Sequence, residues 1–212
     1  MAIDLRTFAF VDSLQPQLTA YICTGARGYL PLTYDASIWV EVAPGIAINR
    51  ITDIACKKTA CRPAIQVVER SFGLLEVHHE QQAEAIEAGR QILDQLGLKE
   101  TDRLRPRIET SEIITNVSDY QLMLINRMRF GSMFLHGQTL YILEVHPAGY
   151  AALAANEAEK AADITLVEVQ PFGAFGRLYL SGTEAHIEEA ARAIQKTLEG
   201  IDGRENKGAG RG

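Results

Sequence analysis

The chain repeats itself at a fixed separation of 103 residues. Glu41-Val42 returns as Glu144-Val145, Pro44 as Pro147, Ala55 as Ala158, Lys57 as Lys160, and Phe72-Gly73 as Phe175-Gly176. Ile22, Gly28 and Gly97 continue the series as Ile125, Gly131 and Gly200. A period of about 100 residues is a domain's length, longer than a solenoid repeat, so the pattern implies one globular unit present twice. Positions where the copies differ are then the places to look for function.

The first copy runs from about Arg6 to Leu98 and the second from about Glu109 to Ile201, joined by KETDRLRPRI, which reads as an exposed charged linker. This gives a first domain over 1–103, a second over 104–205 and a polar, glycine-rich tail over 206–212 that is expected to be disordered. With 47% hydrophobic residues in 212, each copy has the material for its own core.

Each copy opens with a β-like run (TFAFVDSL, ETSEIITN) and a helix (PQLTAYICTGAR, DYQLMLINRMR). An alternating strand (SIWVEV, TLYILEV) leads to a helix entered through Pro44 or Pro147, where a missing N–H is tolerated in the first turn. On that helix Ala47, Ile51, Ile54 and Ala55 mark an apolar face, and its counterpart is alanine-rich from Ala151 to Ala162. Two strands follow (AIQVVER and FGLLEV; ITLVEV and GRLYL), then a helix with Ile86, Gly89, Leu93 and Leu96 inward, matched by Ile187, Ala190, Ile194 and Leu198. The order predicts an α+β fold, with helices on a mixed, mainly antiparallel sheet in each copy.

The formal net charge of −6 leaves no basic stripe to hold a phosphate backbone, so no nucleic-acid partner is expected. No apolar run approaches the ~20 residues of a membrane helix, and MAIDLRTFAF lacks signal-peptide character, which predicts a soluble cytoplasmic protein with no membrane partner. Phosphate-loop, dinucleotide-binding and nucleophile-elbow motifs are missing, so no catalytic residue and no cofactor is assigned. Cys56 and Cys61 with His78-His79 are zinc-type ligands, but five steps along a helix turn the two thiols about 140° apart. Reduced thiols and no metal site are the expectation, with Cys23 the third cysteine.

Lys57 and Lys160 hold equivalent positions, one helical turn after Asp53 and Asn156, and read as a solvated face. Glu69-Arg70 closes an apolar strand before a turn, and its counterparts are Phe172 and Gly173. The pair reads either as a surface ion pair worth about 0–1 kcal/mol or as a charged element confined to one copy.

The runs FVDSLQPQLTAY, VEVAPGIAINRITDIA, RPAIQVVERSFGLLEVHH, INRMRFGSM, GQTLYILEV, PAGYAALAANEAEKAAD and GAFGRLYL resemble the tandem-domain, circularly permuted shell proteins of bacterial microcompartments. The resemblance spans about residues 5–203. It implies that each copy is a permuted BMC domain and that three chains form a pseudohexameric homotrimer with a central pore. The tile would sit in a microcompartment shell in the bacterial cytoplasm beside hexameric and pentameric shell proteins, with metabolites crossing the pore and two trimers stacking face to face. Residue by residue, the resemblance assigns Glu69 and Arg70 to the pore gate, and Lys57, Lys160 and Asp53 to the tile edge. Asn156 in place of the aspartate, and Cys56 and Cys61 in place of aliphatic residues, depart from the family pattern. The alternative is a trimeric small-molecule-sensing or binding protein, with an enzyme third because no nucleophile–base arrangement is visible.

Overall fold

The computed structural model describes residues 3–207. The first copy is built from β1 (Asp4–Val11), α1 (Pro16–Gly25), β2 (Ala36–Ala43), α2 (Ile48–Lys58), β3 (Arg62–Glu69), β4 (Phe72–His79) and α3 (Gln82–Leu96). The second contains β5 (Arg107–Ile114), α4 (Asp119–Met128), β6 (Thr139–His146), α5 (Tyr150–Ala161), β7 (Thr165–Gln170), β8 (Gly176–Gly182) and α6 (Glu184–Glu199). The strands form two four-stranded sheets, ordered β1-β2-β4-β3 and β5-β6-β8-β7. Every neighbouring pair is antiparallel, so the sheets are not mixed.

Two local readings change. Pro44 precedes a 3-10 turn at Gly45–Ala47, and α2 begins only at Ile48, so the proline ends the strand and does not open the helix. On α3 the buried stripe is Ala85, Ala88, Gly89 and Ile92, while Ile86 is 52% exposed. A side chain at Gly89 would collide with Phe8 and Ile38, so close backbone approach, not the largest apolar residues, sets which way this helix faces. The expected faces of α6 (Ile187, Ala190, Ile194, Leu198) and of α2 at Ile51 and Ala55, together with Ile48, are buried.

The segment between the copies is not a loose linker. Leu104 N–H donates to Arg6 C=O, Arg105 N–H to Arg204 C=O, and the Arg103 guanidinium to Phe8 C=O, so it is clamped between β1 and the end of the chain. Asn206, expected in the tail, donates to the carbonyls of Arg105 and His146. The rest of that tail from 208 onward lies outside the described residues.

Among the described residues, buried apolar side chains gather in three clusters. One lies between the first sheet and α2 and α3, around Ile38, Val40, Ile51, Leu75 and Ile92. The largest spans both copies: Val11, Leu18, Ile22 and Trp39 of the first join Tyr150 to Ala158 of α5 and the inner face of the second sheet. The third is small, comprising Ile125, Phe134, Leu140 and Val167 beneath α4. Burying β2 on both faces requires this shared cluster, which is why a strand that alternates in sequence is enclosed from Ala36 to Val42.

Candidate functional site

The β3–β4 turn holds Glu69 and Arg70 as an exposed pair, with Arg70 Nε 3.7 Å from Glu69 Oε1. Arg70 has φ +53°, a left-handed conformation that favours glycine, and its counterpart Gly173 has φ +104°. The two equivalent turns lie together: a methyl group at Gly173 would stand 4.0 Å from Glu69 Cγ. The two equivalent turns therefore lie side by side, with charge in the first and Phe172-Gly173 in the second.

Lys57 and Lys160 occupy different surroundings. Lys57 Nζ bonds Asp53 at 2.8 Å on the outward face of α2, with the lysine side chain 72% exposed. Lys160 is 28% exposed and held by Asp12 of the first copy and by Glu157 at 3.0 Å. The expected equivalence does not extend to their ion pairs, because the outer face of α5 lies against the first copy, whereas the outer face of α2, opposite its buried Ile48, Ile51 and Ala55, is uncovered within the chain.

That seam is built from α5. Glu159 accepts the N–H groups of Gln17 (2.8 Å) and Leu18 (3.1 Å), and Asn156 Oδ1 accepts that of Gln15 at 2.9 Å. These satisfy the start of α1, which has no side-chain cap of its own. Burial pushes the Glu159 carboxyl above its usual range, and the two backbone N–H groups pull it back. Tyr21 donates to Glu168 across the same seam at 2.6 Å, and burial with that bond drives its phenol upward.

A second part of the seam centres on Glu41, buried on β2. It accepts Arg6 Nε at 2.8 Å, Thr7 Oγ1 at 3.3 Å and the Gly149 N–H at 2.7 Å. Any side chain at Gly149 would press on Thr7, so this approach admits only glycine. Burial pushes the Glu41 carboxyl up, and Arg6 opposes that shift. Arg6 also reaches His146 Nε2 at 3.0 Å and lies 3.5 Å above the Phe72 ring. Sequence reasoning missed Arg6, Glu41 and His146. A signal was present: glutamate at the same position in both otherwise apolar strands, Glu41 and Glu144, is costly unless partnered.

The counterpart surface on the second copy is open. Val11 is fully buried in the seam, whereas Ile114, its equivalent, is 37% exposed, and Tyr120, Met123 and Leu124 of α4 are exposed as well. The α5 face that fills the seam, Gly149, Ala152, Asn156 and Glu159, corresponds on α2 to Ile46, Asn49, Asp53 and Cys56, all outside the buried core. Cys56 is exposed and Cys61 buried. Burial lifts the Cys61 thiol to about 11, so at neutral pH it is the protonated, unreactive form. Among the described residues no three His, Cys, Asp or Glu side chains are grouped to hold a metal ion. A cavity of about 560 Å³ lies between the copies, lined by Leu18, Ile22, Trp39, Ile65, Phe130 and Phe172. Among the described residues no helix is long and apolar enough to cross a membrane.

Residues 5–102 match the family described as the CsoS1D N-terminal domain. Over 208 residues the chain is 52% identical to the carboxysome shell protein CcmP of Synechococcus elongatus, covering 98% of each. It is 50% identical over 197 residues to the carboxysome shell protein CsoS1D of Hydrogenovibrio crunogenus, covering 92% of this chain and 96% of that one. Among solved structures, the fused permuted hexameric shell protein MSM0275 of the RMM microcompartment superposes with a TM-score of 0.92 at 45% identity, covering 95% of this chain and 99% of that chain. The double ringed trimeric shell protein MSM0271 of the same microcompartment gives 0.92 at 40% identity, covering 96% and 100%.

Proposed function

The chain belongs to the family of carboxysome shell proteins that contains CcmP and CsoS1D, structural components and not enzymes, and from that premise we propose that three copies close into one pored tile of a microcompartment shell. The contrast between Val11 and Ile114 carries this reading. Within a chain, α5 covers β1 and the start of α1; the same surface on β5 and α4 is apolar and uncovered, and α2 carries an uncovered outer face. The two unmatched surfaces lie on different copies, so a chain meets its neighbour head to tail. Such heterologous contacts make rings when the rotation closes. Each chain supplies two copies, so three chains complete a ring of six.

In that ring Asp53 replaces Asn156 as the acceptor for the N–H of Ser118 in the next chain. The turns at Glu69-Arg70 and at Phe172-Gly173 then surround the axis, and three Glu69-Arg70 pairs gate a pore. Lys57, 72% exposed one turn beyond Asp53, and Lys160 meet neighbouring hexameric and pentameric shell proteins at the tile edge, while Asp53 itself turns to the next chain of the same ring. Tyr29, Leu30, Leu32 and Tyr34 in one loop, and Met133 and Leu135 in the equivalent loop, are exposed. Equivalent loops repeat on one face of a ring, and a second trimer stacked face to face covers them.

Sedimentation velocity and electron microscopy test the reading together. A trimer, or a hexamer made of two trimers, that assembles into flat sheets supports it; a stable monomer at micromolar concentration overturns it. The cavity between the copies favours a second reading, a tile that also binds a small molecule with an apolar face, and calorimetry on isolated trimers would register saturable binding.

A further inference from the structure

His146 stands where both turns can be reached at once. Its ring lies edge-on to Phe175, which closes the β7–β8 turn, with centroids 6.0 Å apart and planes at 62°. Its Nε2 accepts from Arg6, whose guanidinium covers Phe72, the residue paired with Glu69 across the β3–β4 turn. Phe72 and Phe175 are counterparts 103 positions apart. One imidazole therefore links the bases of the two equivalent turns.

The hydrogen bonds fix its protonation. An arginine only donates, so Nε2 must be a bare acceptor. Nδ1 lies 3.0 Å from Asn206 Oδ1, and the Asn206 amide nitrogen already donates to the carbonyls of Arg105 and His146, so Nδ1 carries the hydrogen. A second proton on Nε2 would place donor against donor and cation against cation. Burial and Arg6 hold the imidazole below the ordinary histidine range; Arg107 adds to that, while Asn206 and Glu109 oppose it. The remaining charges nearby are paired: Arg107 with Glu109, Glu144 with Arg177, and Glu41 with Arg6.

We propose that His146 is a proton-operated coupling between the two turns: the neutral ring holds Arg6 on Phe72, and the protonated ring repels Arg6 from Phe72, while Glu41 still pairs with the Arg6 Nε, and loosens both turns together. The consequence for a pore rests on the gate assigned above; the loosening of the turns does not. Linkage gives the sign. A histidine whose folded value lies below its unfolded one contributes stability that is complete above the ordinary histidine range, near pH 6.5, and is lost as pH falls through the window down to the folded value. The turns should therefore open on the acid side.

Hydrogen–deuterium exchange of the intact protein at about pH 8 and about pH 5.5, with labelling times scaled for intrinsic exchange, reads this directly. In the wild type, amides 69–73 and 172–176 should exchange about tenfold faster at the acid value after that scaling. In His146→Gln, which keeps a neutral acceptor for Arg6, both turns should exchange equally at the two values. Should that variant not fold, Phe72→Leu removes the ring under Arg6; the acid response should then vanish at 69–73 and persist at 172–176. A wild type whose turns ignore pH, or a glutamine variant that keeps the response, overturns the proposal. The readout concerns the turns themselves, so a structure placing them away from any pore would sink the gate and leave this result standing.

Discussion

Glu69 and Gly173 are neighbours: the Cγ of the glutamate lies 4.0 Å from where a side chain would begin on the glycine. They come from equivalent turns of the two copies, and the second turn has space where the first has charge. Gly173 places no side chain beside Glu69, whereas a symmetric pair of charged turns would crowd it. Phe172-Gly173 in place of a second Glu-Arg pair thus leaves the charged turn of the first copy without a charged neighbour from the second.

Arg70 carries a measurable strain. Its φ of +53° is one that residues with a Cβ adopt at a cost of order 1 kcal/mol, and Gly173 meets the same need without it. Arg70→Gly should raise unfolding stability by about 0.5–1 kcal/mol in urea. A variant less stable than the wild type would mean that Arg70 makes contacts which outweigh its backbone strain.

Replacing Glu69 and Arg70 together by Ala should leave stability within about 1 kcal/mol, because both side chains are largely solvated. The same variant should lack any narrow state of the axial opening. Cryo-EM maps of both proteins decide this: a wild-type opening as wide as that of the variant removes the gate from these residues.

The ring surface can be separated from the core by a matched pair of substitutions. Val11→Asp puts a charge at a fully buried position and should unfold the chain, whereas Ile114→Asp, at the equivalent but partly exposed position, should leave it folded. Sedimentation velocity should then find Ile114→Asp as monomer at concentrations where the wild type is a trimer. An aspartate variant that remains trimeric would move the interface elsewhere.

Duplication, element order and α+β class were all legible, because periodicity and a repeated pattern survive in one dimension. Which surface of each copy is covered was not legible. Ile114 and Val11 look alike in sequence, and only the placement of α5 against the first copy distinguishes them. Lys57 and Lys160 look like one site twice, yet Lys160 bonds Asp12, 148 positions away. For the same reason Arg6, Glu41 and His146 could not be assembled from spacing: their partners are set by the seam. Ile86 was misread because residue size suggested a face that Gly89, by allowing Phe8 to approach, turned away.

The two lysines should respond differently to reversal of charge. Lys57→Asp leaves α2 exposed as before and should block lateral assembly into sheets while trimers persist, as seen by negative-stain electron microscopy. Lys160→Asp places a third carboxylate beside Asp12 and Glu157 and should first destabilise the seam, lowering the unfolding midpoint. If Lys57→Asp tiles normally, the edge lies elsewhere.

Glu41 provides the sharpest test of the seam. Its carboxylate is the counterion of Arg6 and the acceptor for Gly149, and all three are enclosed where the copies meet. Glu41→Ala would leave a guanidinium against Phe72 and His146 with no compensating charge, together with an unserved backbone N–H. Removing one partner of a buried pair costs about 3–5 kcal/mol, because the remaining charge stays desolvated. Glu41→Gln keeps the volume and an acceptor for Gly149 while discarding the charge, so comparing the two variants separates cavity from electrostatics. Equal losses in urea unfolding would assign the cost to Arg6. A loss under 1 kcal/mol in both would show that the Arg6–Glu41 pair contributes little to holding the copies together, and that Arg6 finds water or another acceptor when its carboxylate is gone.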